Sequence, residues 1–330
     1  MKLASLKAGG RDGTLVVVDA ALSRAVAVTA IAPTLQSALE RWDVVSPLLD
    51  ATAIALEANR VVDAFPLVMD ELASPLPRSY QFLDGSVYLH HMMKARRARG
   101  AAMPAEYETV PLMYQGVSDA FRGPTETMRL PSEDLEIDCE AEVAVIVDDV
   151  PMGISASTAG QHIKLVMLMN DFTCRALTRS EIPKGFGFLQ SKPTSSFSPV
   201  AATPDTLGPA WDGLRLHGRL RTAINGRMLG NPDAGQDMFF TYPELIAHAA
   251  RTRDLAAGTI IAAGAVSNLD PSTGHGCIAE ARVDEIERDG EARTPWLRFG
   301  DVVRIEMLDY AGRTLFGAIE QVIAPALALV

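Results

Sequence analysis

The stretch Asp138 to Val147, DCEAEVAVIV, limits what this chain can become more than any other. Read as a strand with side chains alternating by two, it places Glu140, Glu142, Ala144 and Ile146 on one face and Cys139, Ala141, Val143 and Val145 on the other. Both faces turn apolar from Val143 onward. A fold that buries this strand therefore buries two carboxylates one pleat apart, and an unpaired buried charge costs several kcal/mol, on the order of the stability of a whole domain. Either the strand is a solvent-facing edge, or something positive meets the carboxylates.

Asp171 raises the same question. The stretch STAGQHIKLVMLMND reads as an apolar helix capped by Ser157 or Thr158, with Ile163, Val166, Met167 and Asn170 at helical spacing. A carboxylate at its end faces the negative pole of the helix dipole, a penalty of roughly 0.3–1 kcal/mol, although Asn-Asp is also an ordinary helix-ending pair. Asp84 opens a further helix, SVYLHHMMKARRARG, with Tyr88, Leu89, Met92 and Met93 on one side and Gly100 as its stop. The basic residues Lys94, Arg96, Arg97 and Arg99 read as its solvated face. Asp84, Glu140, Glu142 and Asp171 form an all-oxygen set that suits a hard cation such as Mg2+, Ca2+ or Mn2+ better than zinc, which prefers His and Cys.

Composition narrows the partners. With 330 residues, 48% of them hydrophobic, the chain can bury one large domain and a smaller one. A net charge of -11 disfavours nucleic acid and anionic lipid. Cys139, Cys174 and Cys277 are too few and too far apart for a disulfide framework, which fits a reducing compartment. The N-terminus reaches glycines before any long apolar run, and the apolar stretch from Leu15 to Pro33 is broken by Asp19 and Arg24. The expectation is a cytoplasmic protein with no signal peptide and no membrane span.

Short strands are expected over residues 2–31, then a helix with Leu35, Leu39 and Trp42 at helical spacing and a second near Pro47 to Ala58. The aperiodic, proline-bearing ELASPLPRSYQFLDG marks a boundary near residue 78, giving a small β-rich N-terminal domain over 1–78 and a larger domain over 79–330. From Leu214 onward short β-rich runs dominate, GCIAEARVDEIE among them, without the βα alternation of a Rossmann sheet.

Six motifs, in order, carry a resemblance: DGSVYLHH, YQGVSD, DCEAEVAVIV, LMNDFTCR, FLQSKPTSSFSP and FGDVVRIEMLD. Together they resemble the fumarylacetoacetate hydrolase family, in its longer form with an N-terminal accessory domain. The resemblance implies a mixed, β-rich α+β fold with a β-roll catalytic domain, a homodimer, and a divalent metal, Mg2+ or Ca2+ with Mn2+ also suitable. It implies metal ligands at Asp84, Glu140, Glu142 and Asp171, a general base at His91, and an orienting glutamate at Glu280. It places substrate contacts at Tyr114, Arg175 and Lys192, with Lys192 also near the reacting carbonyl oxygens. A threonine common in the family is replaced by Ala265, with Ser267 a candidate substitute, and the lysine loop lacks the family's usual glycine or aspartate.

The activity implied is metal-dependent hydrolysis of a carbon-carbon bond in a β-diketo acid such as fumarylacetoacetate, in tyrosine and other aromatic catabolism. The alternatives are a 2-keto acid hydratase, decarboxylase or isomerase on the same site, and a ligand-binding protein without turnover. For His91 the residue-level alternative is a helix-surface or core histidine, for Glu280 an exposed strand position, for Arg175 a charge offsetting its helix, and for Lys192 a surface lysine.

Overall fold

Two apolar strands, each dividing its side chains between two cores, form the centre of the molecule. The computed structural model describes residues 1–98 and 100–327, so Arg99 lies outside the described residues. The strand Ala141–Val147 is buried along its whole length. Its Ala141, Val143, Val145 and Val147 enter one apolar cluster, and its Ala144 and Ile146 enter another. The neighbouring strand Ile163–Asn170 divides in the same way, with Val166 and Leu168 on one side and Leu165, Met167 and Met169 on the other.

This overturns the helix expected up to Asn170. Only Ala156–Ala159 is α-helical there, and Ile163–Asn170 runs antiparallel to Ala141–Val147 with Met169 opposite Glu142. A uniformly apolar run satisfies helical and strand spacing alike; a strand wins because each face has a core to enter. Asp171 therefore follows a strand, and no helix dipole opposes it. Asp84 likewise sits in the strand Phe82–Gly85, ahead of the helix Leu89–Ala98, rather than opening that helix.

The large sheet runs in the order Phe65–Pro66, Arg24–Ala27, Thr14–Val18, Lys2–Leu6, Ala201–Ala202, Ile163–Asn170, Ala141–Val147, Ile260–Ala262, Phe82–Gly85, Met113–Gln115. Its N-terminal strands join directly, with Leu3 opposite Ala201. The helices Leu35–Leu39 and Trp42–Glu57 lay Leu35, Leu39, Val45, Leu49 and Leu56 into the second core, against the face carrying Ala144, Leu165 and Met167. Trp42 opens the longer helix instead of closing the shorter one. On the opposite face a five-stranded sheet, with Val302–Leu308 and Thr314–Pro325 as its long strands, contributes Ile305, Phe316 and Ile319 to the first core. Among the described residues no helix is long and apolar enough to cross a membrane.

A second correction concerns Ile278–Asp289, expected as strand and found as helix. Its first backbone donors are met from far away: Asp138 accepts from Ile278 N at 2.8 Å and from Ala279 N at 3.0 Å. A carboxylate satisfies the free N–H groups and sits at the positive pole of the dipole. At the other end Gly290, at φ +83°, takes the left-handed conformation that closes the helix.

Because the N-terminal helices cover the same sheet that holds the central strands, both regions are expected to unfold together. Leu49→Ala removes a fully buried side chain from the second core and is expected to cost about 2–5 kcal/mol. In urea, far-ultraviolet dichroism and tryptophan fluorescence should shift as one transition; two separated transitions would show that the regions are independent.

Candidate metal centre and active site

Strand register brings the carboxylates together. Asp84 lies beside Ala262 in parallel pairing and beside Tyr114 in antiparallel pairing. Ala262 faces Ala144, two residues from Glu142, and Glu142 faces Met169, two residues from Asp171. Asp84, Glu142 and Asp171 thereby each offer a carboxylate oxygen, all within 4.8 Å of one another, and all three residues are buried. The turn after Ile260–Ala262 closes the nest: Gly264, at φ +88°, donates its N–H to Glu142 Oε2 at 3.1 Å. A Cβ there would stand 2.5 Å from the Gly85 carbonyl oxygen, so only glycine fits.

Three carboxylates this close cannot all stay ionised without a cation. Burial, followed by the charge of Asp171, pushes Asp84 up to about 8. Burial, followed by Asp84, holds Glu142 well above the usual carboxylate range. Asp84 Oδ1 and Glu142 Oε1 are buried and have no hydrogen-bond partner among the described residues. Converging buried oxygens with unused lone pairs fit a hard divalent cation.

Glu140 is in the same place but differently occupied. It is bonded by Lys192, by Thr173 Oγ1 at 3.2 Å and by Arg175 Nη2 at 2.5 Å. Burial raises its carboxyl, but Arg175 and Lys192 outweigh that and hold it far below the usual range. Lys192, buried, bridges Glu140 and Asp171 and stands 5.6 Å from the centroid of the Tyr114 ring. Burial disfavours its charge, but Asp171 and Glu140 more than restore it. Tyr114 donates to Asp171 Oδ2 at 2.6 Å, and Ser195 to Oδ1 at 2.9 Å.

The histidine expected as a base has the partner expected for it. His91 Nδ1 lies 3.0 Å from Glu280 Oε2. Glu280 is buried on a helix, not exposed on a strand. Burial raises its carboxyl, but His275, 3.9 Å away, the hydrogen-bonded His91 and then the charge of Lys94 drive it far below the ordinary value. Ser267 also donates to Glu280 Oε1 at 2.7 Å, so it steadies the glutamate, whereas Ala265 lines the cavity. That cavity, about 260 Å³, is lined by Asp84, Glu140, Glu142, Tyr114, Lys192 and His91, and Arg175 also borders it. Every site residue expected from the sequence is therefore within or against one cavity, except that Glu280 and Asp171 act from behind the lining.

Three residues were missed. Lys94, read as a solvated face, donates to Glu280 at 3.1 Å and to Asp284 at 2.7 Å. Asp138 accepts from Arg175 Nε at 2.9 Å while capping the helix that carries Glu280. Glu181 accepts from the backbone N–H groups of Leu189, Gln190 and Ser191 at 2.8–3.2 Å, which anchors the loop leading into Lys192. The i, i+3 spacing of His91 and Lys94 was a usable signal for the first; the other two act across sequence distances that no local pattern reveals.

Comparison with known proteins fits this geometry. The chain matches the fumarylacetoacetate hydrolase C-terminal family model over residues 81–324 and the fumarylacetoacetase N-terminal domain 2 model over residues 1–78. It is 30% identical to an uncharacterized protein of Pyrococcus abyssi over 155 residues, 46% of this chain and 64% of that protein. It is also 30% identical to oxaloacetate tautomerase YisK of Bacillus subtilis over 135 residues, 41% of this chain and 42% of that protein. The chain thus spans less than two thirds of the length of the curated relatives it matches. Among solved structures, the maleylpyruvate hydrolase of Sphingobium sp. SYK-6, solved with manganese(II) and pyruvate, aligns at TM-score 0.65 and 17% identity, over 99% of this chain and 100% of that one. The 5-carboxymethyl-2-hydroxymuconate delta-isomerase of Mycobacterium smegmatis aligns at TM-score 0.61 and 15% identity over the same shares. By its family match across most of its length, and by a fold shared with these structures, this chain belongs to the fumarylacetoacetate hydrolase family.

Proposed function

We propose that this chain is a divalent-metal-dependent hydrolase that cleaves a carbon-carbon bond in a β-diketo acid, fumarylacetoacetate or a related acylpyruvate from aromatic catabolism. The observation that carries the reading is that His91, paired with Glu280, lines the same cavity as Asp84 and Glu142 of the carboxylate cluster. A base oriented by a buried carboxylate, beside a cation site, is the equipment needed to activate water against a carbonyl.

A divalent cation held by Asp84, Glu142 and Asp171, with Glu140 beside them, would supply Lewis-acid polarisation of a substrate carbonyl. The oxygen-only donors favour Mg2+, Mn2+ or Ca2+ over zinc. Glu280 accepts from His91 Nδ1 and so leaves Nε2 free to take a proton from water. The water oxygen bonds to the acyl carbonyl carbon. The adjacent carbon-carbon bond then breaks, its electron pair passes to the departing keto acid, and the imidazolium of His91 returns the proton there. Glu280 stabilises that imidazolium, and the ammonium of Lys192 offers positive charge beside the oxygen that becomes negative. Tyr114 and Arg175 border the cavity as substrate contacts. A homodimer is part of the proposal, supported by Phe186 and Leu189, which stand exposed on the loop that places Phe188 in the cavity wall.

A second reading is supported by the 30% identity to the Bacillus tautomerase. The same base could move a proton between carbon and oxygen of a keto acid without breaking a carbon-carbon bond.

The decisive measurement follows the ultraviolet absorbance of fumarylacetoacetate and acetylpyruvate. Chelation with EDTA is expected to abolish cleavage, and Mn2+ or Mg2+ to restore it. His91→Ala is expected to lower kcat by about 10²–10⁴-fold with metal affinity retained. Accelerated keto-enol exchange of oxaloacetate with no cleavage product would replace the hydrolase with the tautomerase.

Glu181 supplies a pH test of the Lys192 loop. Burial raises its carboxyl, but the Ser191 hydroxyl and the loop amides lower it further, to about 2. A depressed folded-state value means the stabilisation is fully present above the unfolded value of 4.5 and is lost as pH falls through about 2. The stability difference between the native chain and Glu181→Gln is therefore expected to be constant from pH 5 to 7 and to shrink between 4.5 and 2. A difference independent of pH across that window would exclude the ionised anchor.

A further inference from the structure

Two cavities meet at the base. Beside the carboxylate cavity lies a second of about 280 Å³, and the two share His91, Ala95, Arg175 and Thr178 in their walls. If His91 delivers water to the acyl carbon, that carbon stands next to His91, and its tail has to leave the carboxylate cavity on the side where the second begins.

The chemistry of the second cavity selects the tail. Ala95, Ala98, Val283, Ile286 and Trp296 give it apolar walls. Of the four cations that line it, three are held by carboxylates and the fourth, Arg282, is stacked on an aromatic wall. Lys94 is held by Glu280 and Asp284, and Arg175 by Asp138 and Glu140. Arg179 pairs with Glu136 at 2.6 Å. Arg282 donates to the Thr294 carbonyl and lies 4.5 Å from the Trp296 ring centroid. A tail ending in a carboxylate would meet Glu136 and Glu280, and the one cation there without a carboxylate partner among the described residues, Arg282, lies against the Trp296 ring and is bonded to the Thr294 carbonyl. The carboxylate cavity differs: Arg96 lines it, has no carboxylate partner among the described residues, and donates to the Ala102 carbonyl at 2.9 Å.

We propose that the second cavity is the acyl-tail subsite and that it takes an uncharged alkyl or aryl acyl group, while Arg96 receives the carboxylate of the keto-acid half. The assignment rests on the hydrolase reading and narrows its substrate to acylpyruvates with uncharged tails.

The test compares acetyl-, hexanoyl-, benzoyl- and fumarylpyruvate with the Mn2+-loaded full chain. The expected result is a kcat/KM for hexanoyl- or benzoylpyruvate at least tenfold above that for fumarylpyruvate. Ala98→Trp, which narrows the cavity from an exposed helix position, should lower the benzoyl-to-acetyl selectivity at least tenfold. If that variant misfolds, Ile286→Trp, half exposed on the facing helix, probes the same wall. Equilibrium binding of benzoyl- and fumarylpyruvate to Mn2+-loaded His91→Ala, by calorimetry, reads the subsite without turnover. Benzoyl preference in binding with no cleavage by the native chain would uphold the subsite and reject the hydrolase. Cleavage with fumarylpyruvate preferred, or selectivity unmoved by both tryptophan variants, would overturn the subsite and leave the hydrolase standing.

Discussion

Mutual repulsion among buried carboxylates is the constraint on which the rest of the structure depends. Asp84, Asp138, Glu140, Glu142 and Asp171 are all buried in one region, against Lys192 and the largely buried Arg175. The excess is negative, and burial together with that excess drives the carboxyls of Asp84 and Glu142 upward. Like charges at such distances need either a proton or a cation between them. The architecture keeps Asp84, Glu142 and Asp171 together because each sits on or just after a strand paired on both sides in the large sheet, where a one-residue slip would turn every side chain to the other face. Rigid pairing thus stores an unfavourable electrostatic arrangement that a divalent cation would relieve.

The cationic half is organised from one short helix. Arg175 opens the helix Arg175–Glu181 and ties Asp138 to Glu140; Glu181 closes it and gathers the amides of the loop that leads to Lys192. Both positive charges near the nest are therefore placed by the two ends of a seven-residue segment. Asp138 extends the linkage, since the same carboxylate that meets Arg175 caps the helix bearing Glu280. Removing Asp138 would leave Arg175 half-paired and the helix start without its acceptor, a loss on two fronts.

What the sequence made legible follows from range. Glu140 and Glu142 were readable because alternation within one strand is a local property; His91 came through the motif resemblance, and Lys94, one helical turn on, was taken for part of a solvated face. Ile163–Asn170 was misread because a run with nearly no polar residue carries no period, so only its neighbours on each side decide. Ile278–Asp289 was misread because its capping carboxylate lies 140 residues earlier. Charged Glu280, alternating with alanines, imitates a strand until that cap is seen. The joining of the N-terminal strands to the catalytic sheet, through Leu3 and Ala201, is likewise a pairing between distant segments.

His91, the proposed base, is held by a different kind of force from the carboxylates. The helix Leu89–Ala98 buries only Met92, so apolar packing contributes little to its position. Instead His91, Lys94 and Arg97, spaced by three, face Glu280, Asp284 and Glu287 on Ile278–Asp289. The inner pairs are largely shielded from solvent, while Arg97–Glu287 is exposed and contributes little. Lys94 is the hinge of this ladder: it neutralises Glu280 from the side opposite His91 and fixes the helix by a second bond to Asp284. The carboxylate nest is built into the sheet and His91 is docked onto it by charge, so the proposed cation site and the proposed base rest on separable parts of the fold.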